Sequence, residues 1–168
     1  MKSALKFIAF AFLTLAPLST YAQSNVAHIN VQQLISEMPE VIAAQNELAK
    51  LEKDYTTQID NAFKEFQTKA QSYSADAANQ TDVTNQARQK ELESMQTNLQ
   101  EFRDSAAQEL KKKQMDLMTP LLEKARNAIT KVGQEQGFDY VIDSSPNGGI
   151  ILADGKDLIE DVKRELGF

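Results

Sequence analysis

Large apolar residues recur along the first half of the chain at helical gaps. Leu34, Met38, Val41, Leu48, Tyr55, Ile59, Ala62, Phe66, Ala70 and Tyr73 follow one another mostly three, four or seven residues apart. That spacing draws a stripe down one face of a helix. Pro39 interrupts it early and predicts a short first helix before a long one. Ser72–Thr84 is poor in large apolar groups, and its Asn79-Gln80-Thr81-Asp82 centre reads as a turn. A second stripe returns through Val83, Ala87, Met95, Leu99, Phe102, Ala106, Leu110, Leu117, Leu121, Ala128 and Val132. Two such stripes around one polar turn predict an antiparallel helical hairpin over 36–132, with its turn near 76–82. Pro120 predicts a kink or restart near the base of the returning helix.

Shorter patterns flank the hairpin. Val26–Val31 places β-branched residues at 26, 29 and 31 and predicts a strand. Gly133 and Gly137 are expected to close the long helix. Phe138–Asp143 and Ile150–Ala153 are two further strand candidates, and the Asn147-Gly148 between them is a strong hairpin signal. Leu158, Ile159, Val162 and Leu166 mark a short amphipathic helix, with Asp157 as its N-cap and Gly167 past its end. The fold class is therefore α+β, mainly α. A long coiled-coil arm projects from a small β body made of 23–35 and 133–168. Such a body buries little surface alone and leaves strand edges open, so association with other copies is expected.

Composition then narrows the setting. Lys2 and Lys6 precede an apolar run, Phe7–Ala16, with Pro17 after it and Thr20-Tyr21-Ala22 beyond. This is the layout of a secretory signal peptide over 1–22, cut after Ala22. The run is too short for a membrane-spanning helix of roughly 20 residues. Cleavage would leave 16 basic against 24 acidic residues. An acidic balance argues against nucleic acid as a partner. The chain has no cysteine, so a secreted domain of this size must find its stability in helix packing or oligomerisation.

Reactive chemistry is sparse. One histidine and no cysteine leave no means of building the usual nucleophile–base pairs or zinc sites, so no enzyme, metal or cofactor is expected. His28 lies within a predicted strand and reads as structural or solvated. Gly149–Lys156 superficially resembles a phosphate loop, but the spacing is one residue too long and Asp157 stands where Ser or Thr should hold magnesium. The chain must then act without ATP. Lys111-Lys112-Lys113, the one basic run, reads as a solvated surface. A weak contact with anionic client segments or lipid headgroups is the alternative. Asn79-Gln80-Thr81 matches a glycosylation sequon and is read as the turn.

The apolar residues of the arm carry the functional signal. A two-helix hairpin buries only a narrow seam. Phe63 and Phe66 stand three apart, as do Met115 and Met118, so the stripe is wider than that seam requires. Ala49, Ala62, Ala70, Ala87 and Ala106 leave the seam thin in places. Candidates for holding an unfolded client are Tyr55, Ile59, Phe63, Phe66, Tyr73, Met95, Leu99 and Phe102. Some of these zip the two helices together and others face a cavity between arms. Spacing alone does not separate the two. A structural coiled-coil spacer or adaptor of the cell envelope is the competing reading, because its apolar groups would all lie in the seam.

These residues together resemble the Skp (OmpH) family of periplasmic chaperones. The likeness rests on a signal peptide, the strand Val-Ala-His-Ile-Asn, a long hairpin, Gly-Phe-Asp-Tyr-Val-Ile-Asp, and Gly-Ile-Ile-Leu-Ala-Asp-Gly-Lys-Asp-Leu. It implies a periplasmic homotrimer whose arms enclose a cavity for unassembled outer-membrane proteins. The trimer would be built on Val26, Ile29, Val31, Tyr140, Val141, Ile142, Ile150, Ile151 and Leu152. The chain departs from the family in charge. Well-known members are strongly basic, whereas this arm carries 13 basic and 17 acidic residues from Ser36 to Glu135. Holding by apolar contact is therefore expected, and long-range attraction of acidic clients is not.

Overall fold

The structure, a computed structural model, describes residues 24–146 and 148–168. The expected signal segment and Asn147 lie outside the described residues. Strand β1 (Val26–Ile29) leads into α1 (Val31–Glu37), two residues sooner than the predicted strand end. The helix starts there because the Asn30 side chain accepts from the Gln33 amide at 2.9 Å, satisfying a first-turn donor. Met38, extended in backbone, separates α1 from α2 (Pro39–Asp76), and Pro39 sits at the first helical position. There its missing N–H costs nothing.

Helix α2 has 38 residues, about 57 Å at 1.5 Å per residue. A 3-10 turn (Ala77–Asn79) reverses the chain, and Thr81 caps α3 (Asp82–Glu135) through a 3.2 Å bond from the Thr84 amide. The returning helix passes through Pro120 without ending or restarting, so only one i→i−4 bond is lost there. Gly133 does not close α3 as expected. It lies buried inside the helix, and a Cβ there would meet Val141 Cγ2 at 2.7 Å. The closing residue is Gly137, at φ 75°. Phe138 N then bonds back to the Gly133 carbonyl at 2.9 Å, a helix-ending geometry that favours glycine.

The body differs most from expectation. Strand β2 (Tyr140–Asp143) and strand β3 (Lys156–Asp157) both run parallel to β1, in the order β2-β1-β3. The predicted hairpin between 138–143 and 150–153 does not form, and Ile150–Ala153 is not a strand. After β2 the chain folds tightly against that strand's own end. Gly148 N bonds Ser145 O at 2.7 Å, and a Cβ on Gly148 would stand 2.4 Å from the Asp143 carbonyl. The chain then crosses to the far edge of the sheet. His28, in the middle strand, joins both ends of this crossing, with one ring nitrogen 3.2 Å from Ser144 Oγ and the other 3.2 Å from Gly155 O. Both of its ring nitrogens are thus engaged within the body.

Helix α4 (Ile159–Leu166) ends at Gly167, which adopts φ 90°. Asp157 caps it from one residue further out than expected, accepting from Ile159 N at 2.9 Å, because the cap position itself is taken by buried Leu158. The core unites Ala27, Ile29, Leu34, Met38 and Val41 with Ala125, Ala128 and Val132 of α3 and with Leu158 and Val162. The base of the arm thus forms part of the body's core. Among the described residues no helix is long and apolar enough to cross a membrane.

Candidate functional site

Two apolar surfaces are candidates: the arm and a groove at its base. Of the alanines expected to thin the seam, Ala62, Ala70 and Ala106 are half-buried or buried, whereas Ala49 and Ala87 are exposed. Ala44 and Ala106 are buried, and Leu99 is buried between the helices. Tyr55, Ile59, Phe66, Tyr73, Met95 and Phe102 are half-buried beside it. Phe63 is 39% exposed, with the Arg103 guanidinium 6.0 Å from its ring centre. Phe63, Phe66 and Leu99 meet around one shallow depression of 450 Å³, rimmed by Gln96, Gln100 and Arg103. Val83 and Ala87, assigned to the return stripe, are instead exposed, and Val83 is 77% accessible. They lie in the first turns of α3, where the hairpin packs through polar groups.

That polar packing closes the tip. Tyr55 and Phe102 make an edge-to-face pair at 6.1 Å, and Tyr55 donates to Glu109. Further out, Tyr73 donates to Glu91 at 2.6 Å and Lys69 bonds the same carboxylate. Arg88 bonds Asp76 at 3.1 Å and lies 4.7 Å over the Tyr73 ring. The bond from Lys69, then that from Tyr73, holds the Glu91 carboxyl below its ordinary range. Arg88, then Asn79, does the same for Asp76. Of the basic run, Lys113 is half-buried and pairs with Glu47 at 2.8 Å, while Lys111 and Lys112 are exposed.

The groove is larger. It encloses 690 Å³ between the core-side face of β1 and β2, α1 and the base of α3. Ile29, Ile35, Leu122, Ile129, Phe138 and Val141 line it, with Glu123, Arg126, Asp139 and Asp143 among its polar groups. Leu122 and Met115, seven and fourteen residues before Ile129, continue this face up the arm and are 44% and 59% exposed. Ile35, Leu122, Ile129 and Phe138 were not singled out from sequence, although the seven-residue spacing of Met115, Leu122 and Ile129 was there to be read.

The body residues expected at an interface fall into distinct settings. Ile29 is buried in the chain's own core, and Val31, Val141 and Ile142 are half-buried. Val26 and Tyr140 are exposed, as is the whole run Ile150-Ile151-Leu152. Among the described residues no group of three or more histidines and carboxylates is placed to hold a metal ion.

The profile of a family described as outer membrane protein (OmpH-like) matches residues 25–166. A curated relative, the chaperone protein Skp of Yersinia enterocolitica, is 26% identical over 160 residues, covering 92% of this chain and 93% of the relative. The fold is similar to the crystal structure of a candidate outer membrane chaperone (OmpH-like) from Caulobacter crescentus CB15. The TM-score is 0.76 at 13% identity, over 86% of this chain and 85% of that one.

Proposed function

The chain belongs to the OmpH-like outer membrane protein family, and from that premise we propose that it is a periplasmic, ATP-independent holding chaperone. Its clients are unfolded outer-membrane proteins, held between helical arms so that they do not aggregate. The observation that carries this reading is the apolar surface one chain leaves open on the arm and its base, at Phe63, Met115 and Leu122 above all. A folded protein seldom leaves such groups in line without a partner to cover them. Many weak apolar contacts on several arms hold a chain through multivalency, and methionine tolerates varied client sequences.

A cavity needs more than one arm. We take the assembly to be a homo-oligomer, three copies by resemblance to the family, joined through the body of 23–35 and 133–168. The support differs from that read off the sequence: the body shares a core with the arm base, so it is less bare than its length suggests. The case for association rests instead on exposed Val26, Tyr140 and Ile150–Leu152. Residues 1–22 would act as the export signal. The family is one of chaperones, not of enzymes, and no cofactor enters this reading.

Light scattering of an unfolding outer-membrane β-barrel tests the reading, with and without the protein and without ATP. Suppressed aggregation at a few-fold excess is expected; undiminished scattering overturns it. The spacer reading is favoured by one observation, the partial burial of Tyr55, Phe66, Tyr73 and Phe102 along their own seam. A spacer would leave scattering unchanged.

A further inference from the structure

The chain has no cysteine, so its readily oxidised sulfur is that of its methionines. Those of the described residues sit in graded settings. Met38 is 1% exposed in the core, and Met95 and Met118 are half-buried. Met118 packs against the core, whereas Met115, one turn before it, lies outside and is 59% exposed.

Two neighbourhoods meet at this side chain. Met115 heads the apolar line that runs through exposed Leu122 to Ile129 at the wall of the groove. Lys111 and Lys112, both exposed, come four and three residues before it, a spacing that sets side chains beside one another on a helix. Among the described residues neither is ion-paired, unlike Lys113, which is bound to Glu47.

We propose that Met115 is an oxidation site whose conversion to the sulfoxide lowers the protein's hold on its clients, with hydrogen peroxide as the co-reactant. A lone pair of the thioether sulfur attacks one peroxide oxygen, and the O–O bond breaks. The sulfur is oxidised to the sulfoxide. The other oxygen is reduced and leaves as water with both peroxide protons. The S–O group is polar where the thioether was apolar, and it accepts hydrogen bonds. The ammonium groups of Lys111 and Lys112 supply donors one turn away. The upper end of the apolar line thereby becomes a polar patch, and a client loses that contact. The fold is untouched, because Met115 lies outside the core. Methionine sulfoxide reductases reverse the change: a dithiol is oxidised to a disulfide and the oxygen departs as water. This rests on the holding function proposed above and adds a control to it.

The full-length protein is treated with hydrogen peroxide, which is then removed with catalase. Peptide mass spectrometry should find the added oxygen at Met115 first, several-fold sooner than at Met95 or Met118, with Met38 spared. Suppression of light scattering by an unfolded outer-membrane β-barrel should then weaken several-fold. Helix content and native mass should stay unchanged, and the reductases should restore suppression. Met115→Leu, compared with itself before and after peroxide, should show no such loss. First oxidation at Met38, Met95 or Met118 overturns the proposal. So does undiminished holding with Met115 fully converted, or an equal loss on treating Met115→Leu. Failure of the untreated protein to suppress scattering overturns the holding function, and this inference with it.

Discussion

Leu34, fully buried where α1 meets β1, α3 and α4, shows what the body depends on. Leu34→Ala removes buried surface and leaves a cavity, a loss of about 2–5 kcal/mol, measurable as a lowered urea midpoint at unchanged slope. Gly133 fails in the opposite direction. A methyl there would stand 2.7 Å from Val141 Cγ2, so Gly133→Ala should cost about 1–3 kcal/mol through overpacking. Asp143 joins the strand to the helix. Burial pushes its carboxyl up, but bonds from the Ser145 hydroxyl and amide and from Val31 N outweigh it and hold the group below its ordinary value. Phe63 and Phe66 separate the two uses of an arm aromatic. Phe66→Ser should lower helix content, because its ring is half-buried beside the seam. Phe63→Ser should leave helix content alone and weaken aggregation suppression by several-fold. Equal loss of helix in both variants would place Phe63 in the seam as well.

At the scale of the element, the arm is two different zippers joined end to end. Near the body it is closed by Val41, Ala44, Ala125 and Ala128. Near the tip it is closed by Tyr73, Glu91, Lys69, Arg88 and Asp76. The tip carboxylates sit below their ordinary pKa values, which are 4.5 for Glu91 and 3.8 for Asp76. A depressed carboxylate contributes stability that is present above its unfolded pKa and is lost as pH falls through the folded one. The tip should therefore loosen below about pH 4.5 while the apolar base holds. A nitroxide on Ala78→Cys reads this directly, its tumbling quickening as pH falls. In Asp76→Asn/Glu91→Gln the tumbling should already be fast at neutral pH. Mobility that stayed flat into acid in the unmodified arm would show that the clamp contributes nothing.

At the scale of the molecule, charge bears on how the proposed clients would be met. The chain carries −6 in all, and Lys113 of its basic run is paired with Glu47. Long-range attraction of acidic chains is accordingly weak, and capture should proceed through apolar contact. Raising salt from about 0.05 to about 0.5 M, which shortens the screening length several-fold, should change client association by less than about twofold. A steep fall would indicate a positive surface formed only in the assembly. In the homo-oligomer proposed above, exposed Val26, Tyr140 and Ile150–Leu152 would find their cover in a neighbouring copy.

The hairpin was legible because periodicity is a local property. A stripe at gaps of three and four means a helix face wherever the helix goes, and Pro39, the 76–82 turn and Gly167 act within a turn of their own positions. The family likeness was legible for the same reason, since it rests on short contiguous runs. Strand partnership was not legible. Asn147-Gly148 is a valid local signal for a hairpin, yet β1, more than a hundred residues away, takes the place between β2 and β3 and pairs with both in parallel. Nor could spacing divide the arm's aromatics into seam and surface, since Phe63 and Phe66 belong to one helical stripe. Only the packing of α3 against α2 buries one ring further than the other. Sequence determined the helices and the turn of the arm, because backbone sterics and side-chain period act within a few residues, but not the strands of the body. Tertiary structure alone decided which edges and which apolar groups stayed open, because that depends on contacts between residues far apart along the chain.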